Sequence, residues 1–276
     1  HFTLHTFPYH PAMSFQLIFL GSGTSAGVPM IACDCAVCTS ADPRDQRDRS
    51  SVVVRYDQQN WLIDASPELR VGAVRHQIHD LAGVLFTHAH ADHVLGIDDL
   101  RRFNAAMKSP IDIYAEPRVL DRLRLMFEYI FEPHRNINPS FVATLVAHPI
   151  EPGERLQLGG ATWTVLRLMH GNLPIVGFRV DYAGRSLAYC TDVSAMPDET
   201  LEQLRGLDVL VIDALRRKPH PTHLTVEQAL AIIDRAGCQR AYLTHIAHDV
   251  SHADLQRDLP AHVQPAHDGL VVELMQ

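Results

Sequence analysis

Short apolar runs alternate with polar segments along the chain, and most of these runs have the length of a buried strand. Apolar runs of about four to eight residues between turn residues are typical of buried strands, whereas longer periodic segments are typical of helices. The predicted strands are residues 15–20, 51–56, 60–64, 81–86, 161–168, 185–191 and 240–244. Helical spacing is present over residues 94–100 and 117–140.

A polar connection joins the predicted strand at 81–86 to the helical segment at 94–100. A tight connection can project several polar side chains outward from one point, which strand alternation and helical spacing cannot do. Imidazole suits zinc, and a carboxylate among histidines also permits manganese or iron. Surface residues on a turn are the alternative, but without partners they would carry a desolvation cost of roughly several kcal/mol. The candidate metal ligands are His88, His90, Asp92 and His93.

This H-x-H-x-D-H sequence resembles the signature of the metallo-β-lactamase fold hydrolases. The resemblance implies an α/β fold, a four-layer αβ/βα sandwich with the site at one edge between two sheets. It also implies three further ligands at the ends of strand-like runs, namely His170, Asp192 and His245. By this match the first metal ion binds His88, His90 and His170, the second binds Asp92, His93 and His245, and Asp192 bridges both.

A second cluster of metal-ligand type contains Cys33, Cys35 and Cys38. These cysteines are too close together for easy mutual disulfides, and C-x-C-x-x-C needs a fourth ligand to complete a tetrahedral zinc site. The PhnP-type phosphodiesterases of this superfamily carry such a site, closed by a histidine three residues after the last catalytic one. His248 occupies that position. The resemblance therefore implies a structural zinc, and a redox-sensitive or merely exposed thiol cluster is the alternative.

His223 precedes a helical pattern in the sequence His223-Leu224-Thr225, with Thr222 or Thr225 as a candidate helix cap. The segment resembles the H-x-T element that PhnP-type enzymes and tRNA 3′-processing endonucleases place beside their metals. On that match His223 is the candidate general acid, or a hydrogen-bond donor that contacts the phosphate, near the leaving group. An imidazole titrates near the working pH, which suits either task. A surface histidine is the alternative, and His220 is a weaker second candidate.

Two earlier segments are expected to support the site. In the superfamily an aspartate at the end of the predicted strand 60–64 commonly orients the metal-binding loop, and Asp64 occupies that place; a helix cap is the alternative. The glycine-rich segment 21–29 has neither the P-loop nor a clean dinucleotide spacing. A tight turn that brings backbone close to the metal cleft is the prediction, because glycine tolerates positive φ.

The chain has 276 residues, of which 46% are hydrophobic. This length exceeds the usual size of one domain, but large α/β enzymes commonly reach it as a single unit. We expect one domain over residues 13–276, including the Cys3His zinc site. Residues 1–12 lack the regions of a signal peptide, and we expect a disordered leader or residues foreign to the native chain. Residues 117–140 are expected to form a wall over the cleft or a dimer surface, with an ordinary core helix as the alternative.

Charge narrows the range of partners. The formal net charge is −8 and the pI is near 6.1, which argues against a protein that grips nucleic acid through a broad basic face. No segment approaches the roughly 18 to 20 apolar residues that span a membrane. Two divalent ions would still make the cleft locally positive. A small anionic substrate and a cytoplasmic location are expected.

The leading hypothesis is a binuclear metal-dependent phosphodiesterase that resembles the PhnP type. The resemblance implies action on small or cyclic phosphodiesters by attack of a metal-bridging hydroxide, with Asp192 and His223 as catalytic residues. Two ions roughly 3.5 to 4 Å apart can hold such a hydroxide and polarise a phosphoryl oxygen. The expected cofactors are two divalent catalytic metals, zinc or manganese, and one structural zinc. A homodimer is expected from the resemblance alone.

Other functions stay open at this point. The PqqB-type proteins of cofactor biosynthesis also combine an N-terminal cysteine zinc site with this fold, but their signature usually departs from H-x-H-x-D-H. A thioesterase or lactonase of this fold keeps the same metal ligands, so the sequence alone does not exclude either activity. A tRNA-processing endonuclease should offer a basic RNA-binding arm, which the sequence does not contain. A non-catalytic metal-binding protein is the alternative from a different class.

Overall fold

The computed structural model describes residues 14–137 and 140–275. The expected leader at 1–12 lies outside the described residues. Within them, the chain forms two mixed sheets of seven strands each. None of the described helices has both the length and the apolar composition that crossing a membrane requires.

The first sheet contains the N-terminal strands and the last strand of the described chain. Its order is β14-β1-β2-β3-β4-β5-β6, antiparallel from β14 to β3 and parallel from β3 to β6. The strands are β1 Phe15–Gly21, β2 Ser51–Tyr56, β3 Gln59–Ile63, β4 Gly83–Leu85, β5 Ile111–Ala115, β6 Leu145–Pro149 and β14 Val271–Met275.

The second sheet is built from the other half of the chain. Its order is β13-β12-β11-β10-β9-β8-β7, antiparallel from β7 to β10 and parallel from β10 to β13. The strands are β7 Arg155–Leu158, β8 Ala161–His170, β9 Leu173–Tyr182, β10 Arg185–Cys190, β11 Val209–Asp213, β12 Arg240–Thr244 and β13 Val263–Pro265.

The sheets pack face to face, and helices cover their outer faces. In β2, Val52 and Val54 lie in the core between the sheets with Trp163 of the second sheet, whereas Val53 packs on the helical side, because successive side chains of a strand point to opposite faces. The helices are α1 Leu69–Arg75, α2 Ala91–Val94, α3 Leu100–Met107, α4 Pro117–Met126, α5 Glu128–Phe131, α6 Asp198–Gln203, α7 Val226–Ala236 and α8 His252–Asp258. This confirms the four-layer αβ/βα sandwich.

The helical predictions were less accurate than those for the strands. Residues 94–100 do not form one helix, since α2 is followed by a 3-10 segment at Leu95–Asp99 and then by α3. Residues 117–140 also divide, into α4, α5 and a 3-10 turn at Pro133–Arg135, and residues 138–139 lie outside the described chain. A proline disfavours helical backbone in the residue before it, so α5 ends ahead of Pro133.

Candidate active site

The predicted metal ligands meet at one edge of the sandwich because the segments that carry them leave the ends of neighbouring strands there, with Asp92 and His93 in α2 after β4. His170 is the last residue of β8, whereas Asp192 and His245 follow β10 and β12 by one or two residues. Asp64, Asp192 and His245 have φ angles of 62°, 58° and 59°. Asp and His are among the few non-glycine residue types that adopt this left-handed region readily, and residues held there are often concentrated at functional sites. The strand ends therefore turn sharply to aim these side chains into one cleft.

The structure brings all seven predicted catalytic ligands together. Ligand atoms lie within 4.8 Å of one another in each of two groups, and the groups adjoin, because the ring centroids of His88 and His93 are 4.2 Å apart. Asp192 Oδ2 lies 3.2 Å from His93 Nε2 and 3.3 Å from His245 Nδ1. The first group is His88, His90 and His170, and the second is Asp92, His93, Asp192 and His245.

The chemistry of this donor set fits divalent metal ions. The Nε2 atoms of His88, His93 and His245 are buried and make no well-aligned hydrogen bond among the described residues, although His93 Nε2 lies 3.2 Å from Asp192 Oδ2. Such a condition costs free energy unless another group satisfies these atoms. Burial lowers the pKa of His88 well below its ordinary value, so its imidazole is neutral and offers a lone pair. Burial alone would raise the pKa of Asp192, but the facing His245 and His93 hold it well below its usual range.

Asp64 holds the metal-binding loop in place. Its carboxylate accepts hydrogen bonds from the backbone and the hydroxyl of Thr87, both at 2.8 Å, and from His93 Nδ1 at 2.7 Å. Thr87 Oγ1 also lies 2.9 Å from His88 Nδ1. Such contacts fix the ring of a metal-binding histidine and leave its other nitrogen free for the ion. Asp64 therefore makes the contacts that the predicted orienting role requires. The helix-cap alternative is wrong, because α1 begins only at Leu69.

His223 lies at the same cleft, with only 9% of its surface exposed. Its ring centroid is 4.7 Å from those of both His170 and His245. Its Nδ1 lies 2.6 Å from Asp213 Oδ2, and Asp213 is completely buried at the end of β11. Asp213 was not predicted from the sequence. It ends an apolar run, as Asp64 does, and this position is the signal that could have identified it. His220 lies next to His223 at 5.1 Å between ring centroids.

The cysteine cluster also assembles as predicted. His248 Nδ1 lies 3.2, 3.4 and 3.5 Å from the sulfurs of Cys33, Cys35 and Cys38. Around a tetrahedral zinc, sulfur and nitrogen ligands would be about 3.6 Å apart, given the usual Zn–S and Zn–N lengths. The backbone N–H of Cys38 lowers the pKa of the Cys35 thiol to about 6, which favours the thiolate that zinc requires. The four side chains therefore fit a zinc ion.

The glycine-rich turn connects the two candidate metal sites. Gly23 forms bridges with both Arg49 and Ile246, and Ile246 N donates to Ser22 O at 3.1 Å. A Cβ atom on Gly23 would lie 2.7 Å from the carbonyl oxygen of Arg47, so a side chain would not fit there. The turn thus supports the loop that carries His245 and His248, in agreement with the prediction of a close backbone approach.

The fold and the donor set define a metallo-β-lactamase fold hydrolase. Residues 59–246 match the family model of the beta-lactamase superfamily domain, and the chain belongs to this family. This confirms the resemblance on which the ligand assignments rest.

Three similar proteins place the chain within the superfamily. A diphosphatase from the PhnP family is 42% identical, with a TM-score of 0.86 over 95% of this chain and 98% of that chain. Zn²⁺-bound PqqB from Methylobacterium extorquens is 21% identical, with a TM-score of 0.77 over 94% of this chain and 100% of that chain, and so shares the fold. The Octanoyltransferase of Porphyromonas gingivalis is 39% identical over 92% of this chain. The chain spans about half of that relative, 51% of its length.

Proposed function

We propose that the protein is a binuclear metal-dependent phosphodiesterase that hydrolyses small or cyclic phosphodiesters. The observation that carries the proposal is the buried donor set, in which three histidine Nε2 atoms that make no hydrogen bond among the described residues converge with the carboxylates of Asp92 and Asp192. The similarity to a PhnP-family diphosphatase favours phosphorus as the centre of reaction.

The proposed metal ligands follow the two groups of side chains. His88, His90 and His170 would hold one divalent ion, Asp92, His93 and His245 the other, and Asp192 would contact both. Zinc and manganese both suit such a mixture of imidazole and carboxylate. When bound, the pair of ions supplies Lewis acidity at a phosphoryl oxygen and makes water a better nucleophile at neutral pH. Cys33, Cys35, Cys38 and His248 would hold a third, structural zinc.

His223 is the proposed general acid for the leaving oxygen. Asp213 fixes its Nδ1 side through the 2.6 Å hydrogen bond, which leaves Nε2 as the nitrogen that can give a proton. Positioned proton transfer of this kind typically contributes about 10²- to 10⁴-fold to a rate. Asp213 touches neither substrate nor metal in this proposal and is a positioning residue.

The experiment that tests the proposal compares three substrates on one metal-loaded sample: bis(p-nitrophenyl) phosphate, p-nitrophenyl phosphate and an octanoyl thioester. Preferential hydrolysis of the diester supports the proposed function. Preferential hydrolysis of the thioester would contradict it and favour a carbonyl-ester substrate. Hydrolysis of none of the three at full metal occupancy would favour a PqqB-like or non-catalytic role.

A further inference from the structure

A cavity beside the donor set has a basic wall. Its volume is about 410 Å³, and among the described residues that line it none carries a carboxylate. Its walls are formed by His88 and His90, by Arg118 and Arg122 of α4, and by Leu173 and Pro174 at the start of β9. The cavity therefore extends from the metal-binding histidines to two guanidinium groups.

The packing of α4 holds both arginines at this cavity. Arg118 and Arg122 are four residues apart, so they lie on one face of the helix. The buried side of the helix is fixed by Leu120 and Leu123, which are at most 2% exposed and belong to the core beneath the first sheet. Rotation of α4 away from the cavity would expose these apolar side chains to water, and the basic wall is therefore a fixed feature of the fold.

The positive charge of this wall is only partly neutralised. Glu116 pairs with Arg118 at 2.7 Å, but the same carboxylate also pairs with Arg167 at 2.6 Å. The neighbouring acid, Asp121, pairs with Arg124 at 3.0 Å. Arg122 is exposed and forms no side-chain hydrogen bond or ion pair within the described ranges. In a chain of net charge −8, this is a local excess of positive charge directed at the cleft.

We propose that Arg118 and Arg122 are the residues that bind a second phosphate group of the substrate, so that this chain prefers organic diphosphates, the class that the name of the similar PhnP-family diphosphatase gives for that protein. The inference rests on the proposed phosphodiesterase function and names its substrate class. The planar guanidinium group matches phosphate oxygens with paired hydrogen bonds, which gives both affinity and orientation. Leu173 and Pro174 form the apolar side of the cavity and contact the uncharged group that is esterified to the phosphate.

The reaction of such a substrate is balanced by one water molecule. The water oxygen bonds to the phosphorus on the histidine side, and the bond from that phosphorus to the bridging oxygen breaks. The bridging oxygen leaves with the second phosphate, whose developing charge the arginines neutralise, and it takes a proton from His223 Nε2. The hydroxyl group of the water becomes part of one product. The remaining proton of the water restores His223, which has given its own proton to the other product. A diphosphate that is esterified at both ends therefore gives two phosphate monoesters.

The test measures kcat/KM for diadenosine 5′,5″-diphosphate and for bis(p-nitrophenyl) phosphate in wild type, Arg122→Ala, Arg122→Lys and Arg124→Ala. We expect Arg122→Ala to lower the value for the diphosphate at least about tenfold more than the value for the single-phosphate diester, as the loss of a charged hydrogen bond predicts. Arg122→Lys restores only part of this selectivity, because an ammonium group lacks the paired donors. Arg124 lies on the same helix but outside the cavity and serves as the matched control, with no change for either substrate.

An equal effect of Arg122→Ala on both substrates, or no effect on either, would overturn the inference. A metal-loaded wild type that hydrolyses neither substrate would contradict the proposed function, and the second-phosphate site is then tested by calorimetric titration with ADP and AMP. We expect wild type to bind ADP at least about tenfold more tightly than AMP and Arg122→Ala to lose most of this preference. Equal binding of ADP and AMP by wild type would overturn the inference independently of turnover.

Discussion

His93 Nδ1 lies 2.7 Å from Asp64 Oδ2, and both side chains are completely buried. Because the same carboxylate also receives two hydrogen bonds from Thr87, one side chain orients both ends of the loop that carries the histidine signature. Metal affinity should therefore depend on a residue that touches no ion.

Replacing Asp64 by Asn tests this dependence. Asn tolerates the left-handed backbone at this position, but its amide offers one acceptor oxygen in place of two. We expect catalytic-metal affinity to fall about 10- to 100-fold, as is typical when such a supporting hydrogen bond is lost. Competition with a chromophoric chelator measures the change. Asp57→Asn is the matched control, because Asp57 also has a positive φ of 48° but lies in the exposed turn between β2 and β3; equal loss in both variants would refute the role of Asp64.

His223→Ala should lower the rate of diester hydrolysis by about 10²-fold or more, because the leaving oxygen loses its proton donor. Metal content should stay at the wild-type value, which elemental analysis of the same sample will show. His220→Ala is the control, since His220 lies beside His223 but its Nδ1 contacts Thr222 and not a carboxylate. A loss of metal from His223→Ala would instead make this histidine a ligand.

Much of the site could be predicted because its ligands are marked locally, by a histidine or an aspartate at the end of an apolar run. Asp213 carries the same local mark, but its pairing with His223 could not be predicted from it, and the arginines of α4 carry no such mark. The partnership of Asp213 with His223 depends on how the loop after β11 folds back, and the exposure of Arg122 to the cleft depends on which face of α4 packs against the first sheet. Sequence periodicity indicates a helix but does not specify what its polar face meets.

The proposed zinc site at the cysteine cluster gives a prediction about stability. Cys35→Ser should bind one zinc ion fewer and unfold at a temperature at least about 5 °C lower, because a structural zinc contributes folding free energy directly. Differential scanning fluorimetry and metal analysis measure both effects. Cys238→Ser is the control, because Cys238 is a buried free thiol elsewhere in the chain. Wild-type zinc content in Cys35→Ser would rule out the proposed ligand set.

His252 makes stability depend on pH. Burial, followed by the charge of Arg44, lowers its pKa to about 4, whereas an unfolded histidine has a pKa of about 6.5. The unfolded chain therefore binds more protons between these values, and stability falls as pH falls from about 6.5 to 4. His252→Gln removes this contribution. Its free energy of unfolding should therefore fall by about 1 to 3 kcal/mol less than that of wild type between pH 6.5 and pH 4. Urea unfolding at both ends of this pH window measures the difference. His79 is exposed, so His79→Gln serves as the control and should lose as much stability as wild type. The same loss in His252→Gln would contradict the role of His252.

The central claim is that Asp192 joins two metal ions into one hydrolytic centre, and counting bound metal while measuring diester hydrolysis on the same samples of wild type and Asp192→Ala tests it most directly. We expect about three ions per chain in wild type, two catalytic and one at the cysteines. Asp192→Ala should keep about one ion and lose hydrolysis of bis(p-nitrophenyl) phosphate. Full activity and full metal content in Asp192→Ala would contradict the account.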